Sequence, residues 1–277
     1  SALSASDIVA QSELTADHLK ILLPWMSMNK VQGVDISFNS MDDPLLIKIL
    51  VSKLTSLDFT NLQYFTLNST NLHSAYDAAL LLRSLSKLPN LYFLDLSNLP
   101  KIFPEIFPYL NKYLPRFPNL KRLHLDSNEF TFRDLSMIST ILPKCQELLH
   151  LSMLNQPEES FTKGSSATVY DFVRNSKKLT NLDINYEYIP EDISSRIALC
   201  LMRNTQRSMD ENFELDEMTS QDDLLFDGSL ITETAENVLE KLNSADSLET
   251  DATKRYLLKK YWEKINKVHG KVQKTVD

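Results

Sequence analysis

The sequence predicts an α/β solenoid, a horseshoe arc in which short parallel strands line the concave side and helices cover the convex side, followed by a helical C-terminal tail. Three observations predict it. Residues 120–130, LKRLHLDSNEF, set apolar side chains at Leu120, Leu123 and Leu125, then Asn128 and Phe130. The period of two between Leu123 and Leu125 marks a short strand, and Asn128 stands where a turning backbone needs a side-chain hydrogen-bonding partner. Five further stretches repeat the spacing: VQGVDISFN from Val31, LQYFTLNSTNL from Leu62, LYFLDLSNL from Leu91, LLHLSMLNQ from Leu148 and LTNLDINYE from Leu179. Their starts, with Leu120 in sequence, lie 31, 29, 29, 28 and 31 residues apart. Between them, apolar residues recur at helical spacing, so each repeat reads as strand, turn, helix, turn.

Taken in order, the chain opens on a degenerate copy from Leu3, with Ile8 and Gln11 in register and Ser6 where a leucine belongs. Leu14, Leu19, Leu22 and Leu23 then describe a return helix ending at Pro24 and Trp25. After the Val31 strand, Asp43 followed by Pro44 is a helix start, and Leu45, Leu46, Ile49, Leu50 and Leu54 give its apolar face. Ser74 with Asp77 starts the next, carrying Ala78, Leu81, Leu82 and Leu85, and Thr131 with Asp134 starts another. Residues 155–166, with Pro157, Glu158, Glu159, Lys163 and Gly164, read as an exposed loop between the fifth strand and its helix. Pro190 precedes two acids and opens a closing helix to Thr205, with Ile193, Ile197, Leu201 and Met202 on one face.

The array is expected over residues 1–207, an acidic linker over 208–229, and two amphipathic helices over 230–277 that cap the open end of the array. Composition changes at that first boundary: residues 1–207 carry 20 basic and 21 acidic groups, whereas 208–277 carry 9 and 16. Residues 210–251 hold 14 acids against Lys241 alone, and 252–277 hold 8 bases against 2 acids. Within the tail, Ile231, Ala235, Val238, Leu239 and Leu242 form one apolar stripe, and Leu257, Leu258, Tyr261, Trp262, Ile265 and Val268 form a second, backed by lysines.

The LxxLxLxxNxL spacing is that of the leucine-rich repeat. With about 29 residues per unit and helical returns, the chain resembles the ribonuclease-inhibitor-like subclass, which holds Ran GTPase-activating proteins, tropomodulin and CARMIL-type actin regulators. The resemblance covers residues 1–207 and implies the solenoid fold and a surface built for binding. It does not assign a partner, since one fold hosts many functions.

Composition excludes several classes. At 43% hydrophobic and 24% charged residues, the 277-residue chain is ordinary for a soluble intracellular protein, and a cytoplasmic location is expected. No run approaches the roughly 18 apolar residues of a membrane span. The start at Ser1 and Ala2 is expected to mark a piece of a larger protein. Two cysteines, Cys145 and Cys200, are too few for a disulfide framework or a zinc site, and they read as buried thiols near the convex helices. A near-neutral array and a formal charge of -8 disfavour nucleic acid. No phosphate-cradling glycine loop or metal-ligand motif occurs, so no cofactor is expected.

In a solenoid of parallel strands, residues at one repeat position stand side by side about 4.8 Å apart. One concave column therefore reads Asp35, Thr66, Asp95, His124, Ser152, Asp183, and its neighbour Gly33, Tyr64, Phe93, Arg122, His150, Asn181. Asp95, His124 and Ser152 fall in the order of a hydrolase triad, but a regular sheet spends its amides on its own ladder and offers no oxyanion hole. Two histidines, His124 and His150, fall short of a metal site. No catalytic or metal residue is assigned. The aromatic and arginine content points instead to protein binding, with Tyr64, Tyr92, Phe93, Asp95, Arg122, His124, His150 and Tyr186 as the partner-binding residues. The expected function is a non-enzymatic scaffold or adaptor binding a protein partner on the concave face or through the tail. Alternatives are a GTPase regulator, on the resemblance to the Ran GTPase-activating proteins, and a membrane-surface adaptor using the basic helix around Trp262.

Overall fold

Repetition of one strand-forming spacing produces one continuous sheet. The computed structural model describes residues 13–209, and in them six strands pair in chain order, all parallel: β1 (Gly33–Asp35), β2 (Tyr64–Thr66), β3 (Phe93–Asp95), β4 (Arg122–His124), β5 (His150–Met153) and β6 (Asn181–Ile184). Seven α-helices accompany them among the described residues: α1 (Ala16–Met28), α2 (Pro44–Ser56), α3 (Ala75–Leu85), α4 (Phe107–Tyr113), α5 (Phe132–Ile141), α6 (Lys163–Asn175) and α7 (Glu191–Met209). The chain is thus an α/β leucine-rich repeat solenoid. The degenerate copy expected from Leu3, the expected acidic linker from residue 210 on and the two expected tail helices lie outside the described residues.

The central strand position builds the core. Val34, Phe65, Leu94, Leu123, Leu151 and Leu182 are register partners from β1 to β6 and are all buried. Flanking them, Leu62, Leu91, Leu120, Leu148 and Leu179, and Ile36, Leu67, Leu96, Leu125, Met153 and Ile184, are buried too. Each apolar residue rests on its counterparts in the adjacent repeats, so burial is shared along the array.

The repeat's asparagine position holds the turns. Asn128 donates through Nδ2 to the carbonyls of Leu96 and Leu125, both at 3.0 Å, and accepts from the Leu99 amide at 2.7 Å. Asn39 makes the equivalent bonds to Ile36 and Ser37, Gln156 to Leu125 and Leu154, and Thr70 donates to Leu67. One residue before each of these, Phe38, Ser69, Ser127 and Asn155 adopt positive φ between 54° and 60°, as does Asn98 in the third repeat. The turn needs a left-handed residue, and here non-glycine side chains supply it.

Helix starts follow the capping residues. Asp43 accepts from the Leu45 amide ahead of Pro44, Ser74 from the Asp77 amide, and Thr131 with Asp134 forms a reciprocal capping box. The stretch 155–166 is only in part the expected exposed loop: Asn155, Glu158, Glu159, Lys163 and Gly164 are exposed, but the segment is more regular than a loop. Glu158–Ser160 is a 3-10 turn, Thr162 caps α6 by accepting from the Ser165 amide, and Gly164 already lies in the first helical turn. Ser160, Phe161, Ser165 and Ser166 are buried, with the Ser160 hydroxyl donating to the Phe130 carbonyl and that of Ser165 to the Ser160 carbonyl. Side-chain hydroxyls that satisfy backbone carbonyls allow this polar segment to pack inward.

Candidate functional site

The two concave columns stand in the register that the repeat spacing implies: Gly33, Tyr64, Phe93, Arg122, His150 and Asn181 are partners across the sheet, as are Asp35, Thr66, Asp95, His124, Ser152 and Asp183. Alternation of side chains along each strand turns both columns away from the core.

Ring contacts join the middle of this face. The Arg122 guanidinium lies 5.7 Å from the Phe93 ring centroid, Phe93 meets His124 edge-on at 4.8 Å, and His124 meets His150 edge-on at 5.4 Å. His150 Nε2 is 2.7 Å from Asp183 Oδ2. A chain of contacts therefore runs from β3 to β6. Tyr64 leans the other way. A Cβ at Gly33 would fall 1.7 Å from Tyr64 Cζ, so the Tyr64 ring occupies the space that a side chain on β1 would fill. Tyr92 is half-buried beside this row, and its carbonyl accepts from the amides of Lys121 and Arg122.

Tyr186 corrects the expected site. It sits in a 3-10 turn after β6, is 5% exposed, and its hydroxyl donates to the Leu182 carbonyl at 2.9 Å. Once past the strand, the backbone turns, and alternation no longer aims the residue at the concave side.

The acidic groups of the face are engaged within the sheet. Asp35 accepts from the Ser37 amide and the Thr66 hydroxyl, Asp95 from the Ser97 amide at 2.8 Å, and Asp126 from the Ser152 hydroxyl at 2.6 Å and the Leu154 amide at 2.7 Å. Several other groups have no hydrogen-bond partner although their atoms are buried: Tyr64 Oη, Arg122 Nε, His124 Nε2, His150 Nδ1 and Asn181 Nδ2. His150 and Asn181 are 7% and 5% exposed. The Tyr64 hydroxyl, Arg122 Nε and Asn181 Nδ2 can each donate as they stand, while each imidazole nitrogen donates or accepts with its tautomer. Burial holds the His124 pKa below its ordinary value of 6.5, against the opposing pull of Asp95, so the ring is neutral at neutral pH. Asn181 and Asp183, absent from the expected site residues, complete its β6 end.

Neither catalytic reading is assembled in this geometry. The Ser152 hydroxyl is directed at Asp126, and His124 Nε2 has no partner among the described residues. The imidazoles of His124 and His150 stack edge-on instead of converging on a common point. On the convex side, neither Cys145 nor Cys200 is in a disulfide, and burial pushes the Cys145 thiol up to about 12, away from thiolate reactivity.

Residues 7–156 match the MHP1/HER1/GIP3 LRR domain. The chain belongs to this family. Residues 230–277 separately match the MAP-homologous protein 1 C-terminal domain. Among curated relatives, HMG2-induced ER-remodeling protein 1 of Saccharomyces cerevisiae is 45% identical over 294 residues, covering 97% of this chain and 23% of that protein. MAP-homologous protein 1 of the same yeast is 34% identical over 245 residues, covering 83% of this chain and 17% of its own length. The chain thus spans under a quarter of either relative. The tropomodulin C-terminal domain of Caenorhabditis elegans shares the fold, with a TM-score of 0.51 at 18% identity over 59% of this chain and 95% of that one.

These family relations correct the plain cytoplasmic location expected from hydropathy, because a 45% identical relative is named for remodelling of the ER. No helix among the described residues is long and apolar enough to cross a membrane. Hydropathy reports spanning segments and carries no information on association with an organelle.

Proposed function

We propose that this leucine-rich repeat array is a non-enzymatic interaction module of a longer protein, and that its concave face receives a segment of a protein partner. The observation that carries the reading is the row of buried, unpartnered polar atoms from Tyr64 to Asn181. A buried polar atom without a partner costs about 1–3 kcal/mol, and here five such atoms stand along one face while the neighbouring carboxylates are engaged. A partner segment that presents backbone carbonyls or carboxylates to Arg122 and Asn181, and an apolar side chain to Phe93, would relieve that cost. The partner-binding set is then Tyr64, Tyr92, Phe93, Asp95, Arg122, His124 and His150, with Asn181 and Asp183 added. Asp95 contributes by holding its loop, through the Ser97 amide, more than by contact.

Comparative affinity capture tests this. Wild type, Phe93→Ala and Arg122→Ala are used as baits against one lysate, and a partner is expected that wild type retains and both variants lose at least tenfold, with melting temperatures unchanged. Equal recovery by all three baits would remove the concave face as the main site.

A second reading, association with the ER surface, is favoured by the name of the 45% identical relative. It places the array near a membrane through parts of the longer protein or through the basic residues of 252–277. Flotation with anionic vesicles, compared with neutral ones, tests the latter route, and no salt-sensitive flotation would rule it out.

A further inference from the structure

The convex helices do not pack evenly. α4 has 7 residues, whereas α2, α3, α5 and α6 have 10 to 13. Pro104 and Pro108 at its approach and start, and Pro115 just past its end, keep it short, since proline has no amide hydrogen to continue a helical ladder. α5 packs closely on α6 and sparsely on α4, and a hollow of about 570 Å³ opens between α4 and α5. Its two walls match. Pro104, Phe107, Pro108 and Asn111 follow one another at i, i+3, i+4 and i+7 along the turn into α4 and α4 itself. Met137, Thr140, Ile141 and Lys144 do the same along α5 and the 3-10 turn that extends it. Phe107 and Ile141 are 5% and 3% exposed and give an apolar floor, while Met137 is 49% exposed and Pro104 and Pro108 are exposed too.

Charge marks one end of the hollow. Lys144 Nζ donates to Asn111 Oδ1 at 2.5 Å from one wall to the other, and at the C-terminal end of α4 the Lys112 and Arg116 cations lie 5.4 Å and 5.6 Å from the Tyr113 ring centroid. No carboxylate among the described residues lies within ion-pair distance of any of the three. Glu147, which lines an adjoining hollow that shares Lys144, is held by Lys178 at 2.8 Å, and Glu105 stands next to Pro104, toward the opposite end. We propose that this convex groove is a second docking surface, independent of the concave face, and that it takes an amphipathic helix of a partner protein with carboxylates at one end of its apolar stripe. Seven residues of helix rise about 10.5 Å, so a two-turn stripe at i, i+3, i+4 and i+7 on the partner runs the length of each wall. Its apolar side chains fill the hollow over Phe107 and Ile141, and its carboxylates give Lys112, Arg116 and Lys144 the counter-charge that Asn111 and the Tyr113 ring do not.

Peptide display on the full chain tests the proposal, with a library of random linear peptides as the probe. Wild type should enrich peptides that carry apolar residues at i, i+3, i+4 and i+7 and Asp or Glu clustered at one end. Read by fluorescence anisotropy, the enriched peptide should bind Met137→Glu and Lys144→Glu at least tenfold more weakly at unchanged melting temperature, since both side chains are exposed. It should bind Phe93→Ala and Arg122→Ala, on the concave face, as well as wild type. On the double variant Lys112→Glu with Lys144→Glu, the library should instead yield Lys or Arg at that end. No enriched consensus, equal binding to Met137→Glu, or an acidic consensus that survives the double variant would overturn the groove. Loss of the peptide in Phe93→Ala would assign it to the concave face and refute a second surface.

Discussion

Leu123 has no exposed surface and stands in register between Leu94 and Leu151, themselves buried. Truncation to alanine leaves a cavity that rigid strands cannot close, so Leu123→Ala should destabilise by about 2–5 kcal/mol in chemical denaturation. Leu123→Asp should abolish folding, read as loss of the cooperative transition. His124 makes a second residue-scale prediction, on pH. Because burial depresses its folded pKa, the unfolded chain binds its proton first. The stability due to the neutral ring is complete above 6.5 and is lost as pH falls through that value toward the folded one. Denaturation midpoints at pH 7.5 and 5.5 should therefore fall further in wild type than in His124→Gln, and equal falls would refute the assignment. Gly33 is legible only in three dimensions: Gly33→Ala should swing the Tyr64 ring off β1, visible as a change in Tyr64 side-chain resonances.

At the scale of elements, the helix starts were readable because capping is local chemistry: Asp43, Ser74 and Thr131 lie where their side chains meet backbone amides two or three residues on. Thr131→Ala should cost about 1 kcal/mol, measured by denaturant midpoint. The left-handed turn was not readable. Glycine normally marks such a position, but the chain holds 4 glycines and puts phenylalanine, serine or asparagine there. A left-handed non-glycine residue carries roughly 1–2 kcal/mol of strain, and glycine returns about 0.5–1 kcal/mol of it as unfolded-state entropy. Ser127→Gly should thus stabilise by about 0.5–1 kcal/mol, and a lowered midpoint would show that the serine side chain contributes more than its strain costs. The 155–166 segment, exposed at Glu158, Glu159, Lys163 and Gly164, is only partly legible for a related reason. Gly164 looks like a breaker in sequence, whereas the hydroxyls of Ser160, Thr162 and Ser165 satisfy backbone groups and let the helix begin two residues after Phe161.

For the whole molecule, a fixed repeat length was enough to place both concave columns, since parallel in-register strands turn sequence offset into lateral position. The state of each polar group was beyond the sequence, because whether Asp126 or His124 takes the Ser152 hydroxyl depends on side-chain torsions. The same one-dimensional architecture makes the last prediction. Each repeat is held by its two neighbours, so a defect should matter by its place in the array more than by its size. Val34 lies on edge strand β1 and Leu123 on β4, inside the sheet, and both are buried at the same repeat position. Val34→Ala should fray the first repeat, raising exchange in β1 while β4 to β6 stay protected. Leu123→Ala should weaken both of its interfaces, raising exchange in β3 and β5 together and broadening the thermal transition of the full chain. A uniform loss of protection from β1 to β6 in both variants would instead mean that the array folds as one indivisible unit, with coupling that reaches well past the nearest repeat.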